Sequence, residues 1–316
     1  MRFAGLVPLF AVVACSPDAS CPGAVGAQIP PSLHYFGYFS SGQDNTPGVV
    51  RAAYQDGENI MRDVASQSNL VWIVDQEVAK LRLARQLKLH AVLYLYRLFF
   101  QDEWLAIDPA QYTPQWQSLA VQLGEFVADG TLIGIAALDE PLAQVAAHAG
   151  DPRGLSVDQM RSRLGEIATL IHGSYPALRM LVDEQAGDID AGYQPPAGYD
   201  WLGFYCYGPT GAGTCDFPGR LAALAAKAGA GQKLFFITDA NLLSNAPGDQ
   251  DQSARARRLD EVVALARSEP RVVALLPFIW QSFGEGSLHI TGLSDMSAEV
   301  RRHFFEVGAC VRGRNP

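Results

Sequence analysis

The residues best suited to chemistry in this chain are carboxylates that close apolar runs. Leu132 to Pro141 reads LIGIAALDEP, so Asp139 and Glu140 stand where a buried run meets solvent, and Pro141 ends the ladder because it has no N–H to donate. The run LRMLVD ends at Asp183, with Glu184 next, and KLFFIT is followed by Asp239 and, two residues on, Asn241. Comparable run ends carry Tyr96 and Arg97, Tyr205 and Tyr207, and Trp280. Such a set has carboxyls to move protons, aromatic faces to stack on sugar rings, and amides and a guanidinium to bond hydroxyls and carboxylates. There is no phosphate-binding glycine loop. The six histidines are scattered along the chain, which argues against a metal-dependent hydrolase and for chemistry without metal or cofactor.

These residues share a site only if the runs are neighbouring strands. Eight strand-like runs follow one another: His34–Phe39, Asn69–Val74, Ala91–Tyr96, Leu132–Leu138, Leu178–Asp183, Tyr199–Tyr207, Lys233–Thr238 and Arg271–Trp280. Helical patterns separate most of them, at Gln76–Leu89, from Thr113-Pro114 to Ala128, and at Ser156–His172, Phe217–Ala228, Ser253–Arg267 and Ser297–Val311. Gln185 to Gly198 is rich in Gly and Pro and contains no full helix. Strand–helix alternation of this kind implies right-handed crossovers and a parallel sheet. Eight units in this length fit an α/β protein with one (β/α)8 TIM barrel over residues 32–316, its site at the C-terminal strand ends. A doubly wound open sheet is the alternative, but Gly37, Gly42 and Gly48 are too widely spaced for a dinucleotide fingerprint.

Alternation along the fourth run puts Gly134, Ala136, Leu138 and Glu140 on one face and Ile133, Ile135, Ala137 and Asp139 on the other. The smaller set suits the barrel interior. Glu140 is therefore expected to point inward, with Asp139 outward or sideways as its support.

The fourth run ending ALDEP, the sixth ending in tyrosines and the eighth ending PFIW resemble barrel glycoside hydrolases of the large clan whose acid/base Glu closes strand four. The resemblance implies that Glu140 is the proton donor and that Trp280 is a platform beneath the sugar at the cleavage point. It also implies a Glu at the end of strand seven, where this chain has Asp239. Asp239 is then either the nucleophile of a retaining reaction or the residue that positions water for an inverting one. Glu184 or Asp183 on strand five is a further candidate for the second carboxylate, and a barrel with no second catalytic acid is the remaining one. The expected activity is cleavage of glycosidic bonds in a poly- or oligosaccharide. The alternative is a non-catalytic barrel lipoprotein that binds glycan or a cell-envelope partner.

The net charge is −9 and the isoelectric point about 5.1, which disfavours nucleic acid and anionic membrane surfaces as partners. Met1-Arg2 followed by apolar Phe3–Val13 reads as a signal peptide over residues 1–14. Val12-Val13-Ala14-Cys15 resembles the bacterial lipobox, which implies cleavage before Cys15, lipidation of its thiol and export to the inner or outer membrane; the Pro-, Gly-, Ala- and Ser-rich residues 15–31 read as a tether, and a monomer is expected. Plain secretion is the alternative. Membrane contact is then through the lipid alone. The remaining cysteines, Cys21, Cys206, Cys215 and Cys310, allow three disulfide connectivities. Cys206 with Cys215 would close a short loop, and Cys21 with Cys310 would join the ends of the barrel.

Overall fold

A computed structural model describes residues 29–39, 57–74, 77–190, 192–207, 216–243, 250–285 and 288–314. Cys15, Cys21 and Cys215 lie outside the described residues. The sheet is a closed barrel of eight parallel strands. They are β1 (Tyr35–Tyr38), β2 (Leu70–Val74), β3 (His90–Tyr94), β4 (Leu132–Ala136), β5 (Arg179–Gln185), β6 (Trp201–Cys206), β7 (Lys233–Thr238) and β8 (Val272–Leu275). Each pairs with its sequence neighbours, and β8 closes the ring on β1. Seven helices of eight residues or more are described: α1 (Gly57–Val64), α2 (Val78–Gln86), α3 (Pro109–Ala128), α4 (Val157–Ser174), α5 (Phe217–Lys227), α6 (Gln252–Ser268) and α7 (Ala298–Arg314). Between β5 and β6 the described residues hold only the single 3-10 turn Ala186–Asp188.

Two apolar layers result from strand alternation. Leu70, Trp72, Val92, Tyr94, Ala136, Leu181, Trp201, Phe235 and Ile237 fill the barrel interior. The other face of each strand packs on the helices, for example through Phe36, Ile73, Leu93, Ile135, Val182, Phe204 and Phe236. Small residues inside make room for large neighbours. A Cβ on Gly203 would lie 2.4 Å from the Phe235 ring, and one on Gly134 would lie 2.4 Å from Leu181 Cδ1. This complementarity of small and large side chains is how a narrow barrel is packed solid.

Helix starts follow local capping. Ser156 and Gln159 form a reciprocal capping box at the start of α4, with bonds of 2.8 and 3.3 Å. α3 begins earlier than Thr113-Pro114 suggests. Asp108 Oδ1 accepts the Ala110 N–H at 2.8 Å and Pro109 takes the first helical position, so Pro114 falls inside the helix. The cap signal of Asp108-Pro109 is as good as that of Thr113-Pro114 and comes one turn sooner.

Two small antiparallel additions shape the rim. Phe100–Gln101 pairs with Leu105–Ala106 in a hairpin after β3. Asn241–Leu243, Leu288–Gly292 and Phe283–Glu285 form a three-stranded sheet beside the ends of β7 and β8.

Candidate active site

β4 ends at Ala136, four residues short of Glu140, so strand alternation does not decide where the two acids point. Glu140 has φ 51° and ψ 51°, in the left-handed region, and caps the short helix Pro141–Ala147. That conformation is uncommon and strained for a non-glycine residue. Neighbouring bonds hold it in place. The Glu140 N–H donates to the Asp183 carbonyl at 3.2 Å, and the Leu142 N–H donates to Glu184 Oε2 at 3.1 Å. Both acids of strand five thereby fix the turn that carries Glu140.

Glu140 and Asp139 both stand among the acids at the mouth, beyond the end of β4, where alternation no longer sets their direction. Gln185 Nε2 donates to Glu140 Oε2 at 2.9 Å, and the Tyr205 hydroxyl lies near enough for that carboxyl to help raise it. Gln185 and Tyr205 are register partners on β5 and β6, so both approach Glu140 from one side. Asp139 lies within electrostatic reach of Asp183. Its N–H donates to Tyr94 Oη at 3.3 Å, and the Tyr94 hydroxyl donates to Glu103 Oε1 at 3.2 Å. Glu103 is aimed there by the hairpin tip, where Asp102 and Glu103 have φ of 53° and 66°.

The electrostatics follow from this crowding. Burial, together with the nearby Asp183 and Glu140, raises the Asp139 carboxyl well above the usual range. Asp183 is fully buried and is pushed up to about 7, chiefly by burial and then by the charges of Glu140 and Glu184. Burial also raises Glu184 well above its ordinary value. Tyr94, Tyr205 and Tyr207 are all raised, first by burial and then by these carboxylates, so their hydroxyls stay protonated as donors.

Asp183 and Glu184 are adjacent but face opposite ways. Asp183 shares the lumen side of β5 with Leu181, whereas Glu184 shares the helix side with Val182. Glu184, expected as a candidate acid, is 2% exposed and satisfies the helix start at Leu142 instead of facing the lumen. Asp239 also has a different setting from the one expected. It is 1% exposed, and its Oδ2 pairs with Arg255 Nη1 of α6 at 2.9 Å. Arg255 Nε donates to the Asn241 carbonyl at 2.6 Å. Asn241 is itself buried, in the three-stranded sheet.

The aromatic residues divide in the same way. Tyr205 and Tyr207 stack with centroids 4.5 Å apart, and Tyr207 continues to Phe278 at 5.3 Å. Phe278 meets Phe39 at 6.1 Å. Trp280, expected as the platform, packs against Tyr38 at 5.2 Å. Tyr38 lies on the helix-facing side of β1, so Trp280 lies in that layer. β8 stops at Leu275, so the direction of the residues after it is set by the turn, and it is Phe278 that packs against the lumen cluster. On the opposite rim, Tyr96 lies 5.0 Å from Tyr94, and the exposed Arg97 holds its guanidinium 5.3 Å from the Tyr96 ring. Tyr96 and Arg97 line an open recess of about 570 Å3 with Gln101, Glu103 and Gln111.

Sequence reasoning passed over Gln185, Tyr94, Glu103 and Phe278. Gln185 was available by the period of two from Asp183, and Tyr94 by the same period from Tyr96. Among the described residues no group of three His, Cys, Asp or Glu is disposed to hold a metal ion. Nor is any described helix long and apolar enough to cross a membrane.

Neither a protein-family model nor a curated protein matches the chain. Solved structures do. It is similar to an FMN-binding beta-glucuronidase from Facaelibacterium prausnitzii L2-6, with TM-score 0.52 and 11% identity, over 78% of this chain and 39% of that one. It is equally similar to the exo-beta-1,4-mannosidase Op5Man5 from Opitutaceae bacterium strain TAV5, with TM-score 0.52 and 11% identity, over 80% of this chain and 52% of that one. The chain thus spans about half or less of either neighbour. At these identities the likeness establishes a shared TIM-barrel fold.

Proposed function

We propose that this barrel is a glycosidase acting on a poly- or oligosaccharide, with Glu140 as proton donor to the leaving oxygen. The observation that carries the reading is the turn at Glu140. A strained backbone conformation, fixed by the two neighbouring acids of β5, presents one carboxyl at the C-terminal mouth of the barrel. Gln185 orients that carboxyl, and the tyrosines with Phe278 offer faces for sugar rings. The names of the two neighbours, a glucuronidase and a mannosidase, support carbohydrate as the substrate class.

Asp239 is assigned to structure in this reading, because a buried cation already neutralises it. Tyr96, Arg97, Tyr205, Tyr207 and Asp139 are assigned to substrate contact or to support of the acid. Trp280, Asn241 and Glu184 are assigned to holding the rim. The test is a panel of chromogenic glycosides and soluble polysaccharides. Glu140→Gln is expected to lower kcat by about 10²–10⁴-fold with an unchanged melting temperature. Equal activity of variant and parent on a cleaved substrate would overturn the role of Glu140.

The N-terminal expectations stand as proposals too: a cleaved signal over residues 1–14, lipidation at Cys15, export, and a monomeric barrel. Mass spectrometry of the mature N-terminus tests the first two. The disulfides are proposed as Cys206 with Cys215 and Cys21 with Cys310. Non-reducing peptide mapping decides it.

A further inference from the structure

The end of the barrel opposite the mouth carries the reverse charge. Strands start there and helices finish there, so this floor is built from the last residues before each strand. Asp129, Asp200 and Glu269 are acids of those turns, and each has a partner. Asp129 Oδ2 pairs with Arg85 Nε at 2.6 Å, Glu269 Oε2 with Arg271 Nη2 at 2.8 Å, and Asp200 Oδ2 with His172 Nε2 at 3.1 Å. Lys88 lies just before β3, and Arg179 and Lys233 open β5 and β7. All three are exposed, and among the described residues none of them meets a carboxylate. Lys88 holds φ 55°, which glycine or asparagine adopts more readily, so the turn itself does not call for lysine. Arg312, at the end of α7, places its guanidinium on the Ser68 and Leu87 carbonyls, which hold it at the floor without neutralising it. The last helical turns add Asp63 and Glu125, but also Arg62, Lys227 and Arg267, whose charge answers the helix dipoles. Lys88, Arg179 and Lys233 belong to no helix, and that reason does not cover them.

The mouth, by contrast, groups Glu103, Asp139, Glu140 and Asp183. The sequence has 33 acids against 24 Lys and Arg, yet that excess is not spread evenly, and the net charge of −9 conceals a basic floor. The chain also enters the barrel at the floor. Arg314 Nη1 donates to the Ile29 carbonyl at 2.7 Å, and the His34 N–H donates to the Val273 carbonyl at 2.9 Å, just ahead of β1. From Cys15 to Ile29 the chain can reach at most about 50 Å. We propose that the floor is a membrane-facing surface that lies against anionic phospholipid and points the mouth away from the bilayer. The proposal rests on the lipid-anchor reading of Cys15 above and not on the glycosidase reading. An anionic leaflet attracts basic residues within about a Debye length, about 8 Å at physiological salt, and repels an acidic mouth. Both forces turn the barrel the same way. A lipid at Cys15 keeps the floor near enough to the surface for weak contacts to act. The mouth then faces glycan in the surrounding solution and not lipid.

The lysines make the orientation measurable. They are Lys80, Lys88, Lys227 and Lys233; Lys80 is buried, and the other three are exposed at the floor. The lipidated chain is reconstituted in vesicles of phosphatidylcholine alone or of an equal mixture with phosphatidylglycerol. Acetylation by a water-soluble reagent is then followed by mass spectrometry. Lys88 and Lys233 should react at least about fivefold more slowly on the mixed vesicles in low salt, and equally on both in about 0.5 M salt. Arg97, exposed at the mouth, should react with a dicarbonyl reagent at one rate on both. Equal lysine rates in low salt, slowing that salt does not relieve, or shielding of Arg97 in place of the lysines overturns the proposal. Combining Lys88→Glu, Arg179→Glu and Lys233→Glu should leave Lys227 equally reactive on both vesicles, and a Lys227 still shielded overturns it too. If the mature chain carries no lipid, the anchor reading falls, and partitioning from solution decides the surface. Binding at least about tenfold stronger to the mixed vesicles then supports it, and equal binding overturns it.

Discussion

The two sides of the barrel mouth present the same ingredient, a strand-end aspartate, in opposite circumstances. On the β7–β8 side, Asp239 meets a buried guanidinium and adjoins a small sheet. On the β4–β6 side, Asp139, Glu140 and Asp183 crowd together, and the groups that act on Asp139 and Asp183 are acids. A buried carboxylate with an ion partner stays ionised, whereas one surrounded by like charge is driven to hold a proton. Position at a strand end therefore does not assign chemistry. The sign of the nearest buried charge does.

The largest expected effect is catalytic and lies on the acidic side: Glu140→Gln should cost about three orders of magnitude in kcat, measured on the best glycoside of the panel. On the neutralised side the largest effect should be on stability. Asp239→Ala strands Arg255 in the interior and should destabilise the fold by about 3–5 kcal/mol in urea unfolding. Replacing both partners, as in Asp239→Leu with Arg255→Met, should recover most of that loss and keep hydrolysis within tenfold of the parent. A double variant that is stable but inactive would erase the distinction between the two sides.

Stability against pH sharpens the comparison. Asp139, Asp183 and Glu184 are raised in the folded state, so between about pH 4 and 7 the native chain binds more protons than the unfolded one. The contribution of Asp183 to stability is therefore greatest below the unfolded carboxylate range, and it is lost as pH rises through about 7. The melting temperature is expected to be higher at pH 5.5 than at pH 8 by several degrees. Asp183→Asn should flatten that slope and stabilise the protein at pH 8 by on the order of 1 kcal/mol or more. A slope unchanged in the variant would contradict the raised carboxyl.

The smallest expected effect concerns the rim. Trp104 stacks on His148 with centroids 4.3 Å apart and an interplanar angle of 5°, and the Arg153 guanidinium covers it at 5.2 Å. Trp104→Ala should remove about 1 kcal/mol of contact and raise KM a few-fold, with kcat nearly unchanged.

The barrel was legible because eight buried apolar runs separated by amphipathic helices admit few other folds. The sites of Glu140, Asp183, Tyr205 and Tyr207 were legible as strand ends. The failures share one cause, which is extending a strand's alternation past its last hydrogen bond. Asp139 and Trp280 both lie beyond their strands, where turn geometry sets direction. The role of Asp239 was hidden for another reason. Its partner Arg255 sits on a helix with exposed arginines such as Arg257, and nothing in that pattern marks which arginine turns inward.

The turn at Glu140 has one more consequence. The first N–H of the short helix after it is anchored by Glu184, and the N–H of Glu140 itself by the Asp183 carbonyl, so the acid is positioned by strand β5 and not by the loop that follows. The segment from His148 to Leu155 can then be lengthened, shortened or exchanged without moving the proton donor. Substrate preference in this barrel can change by loop replacement while the chemistry stays where the strands put it.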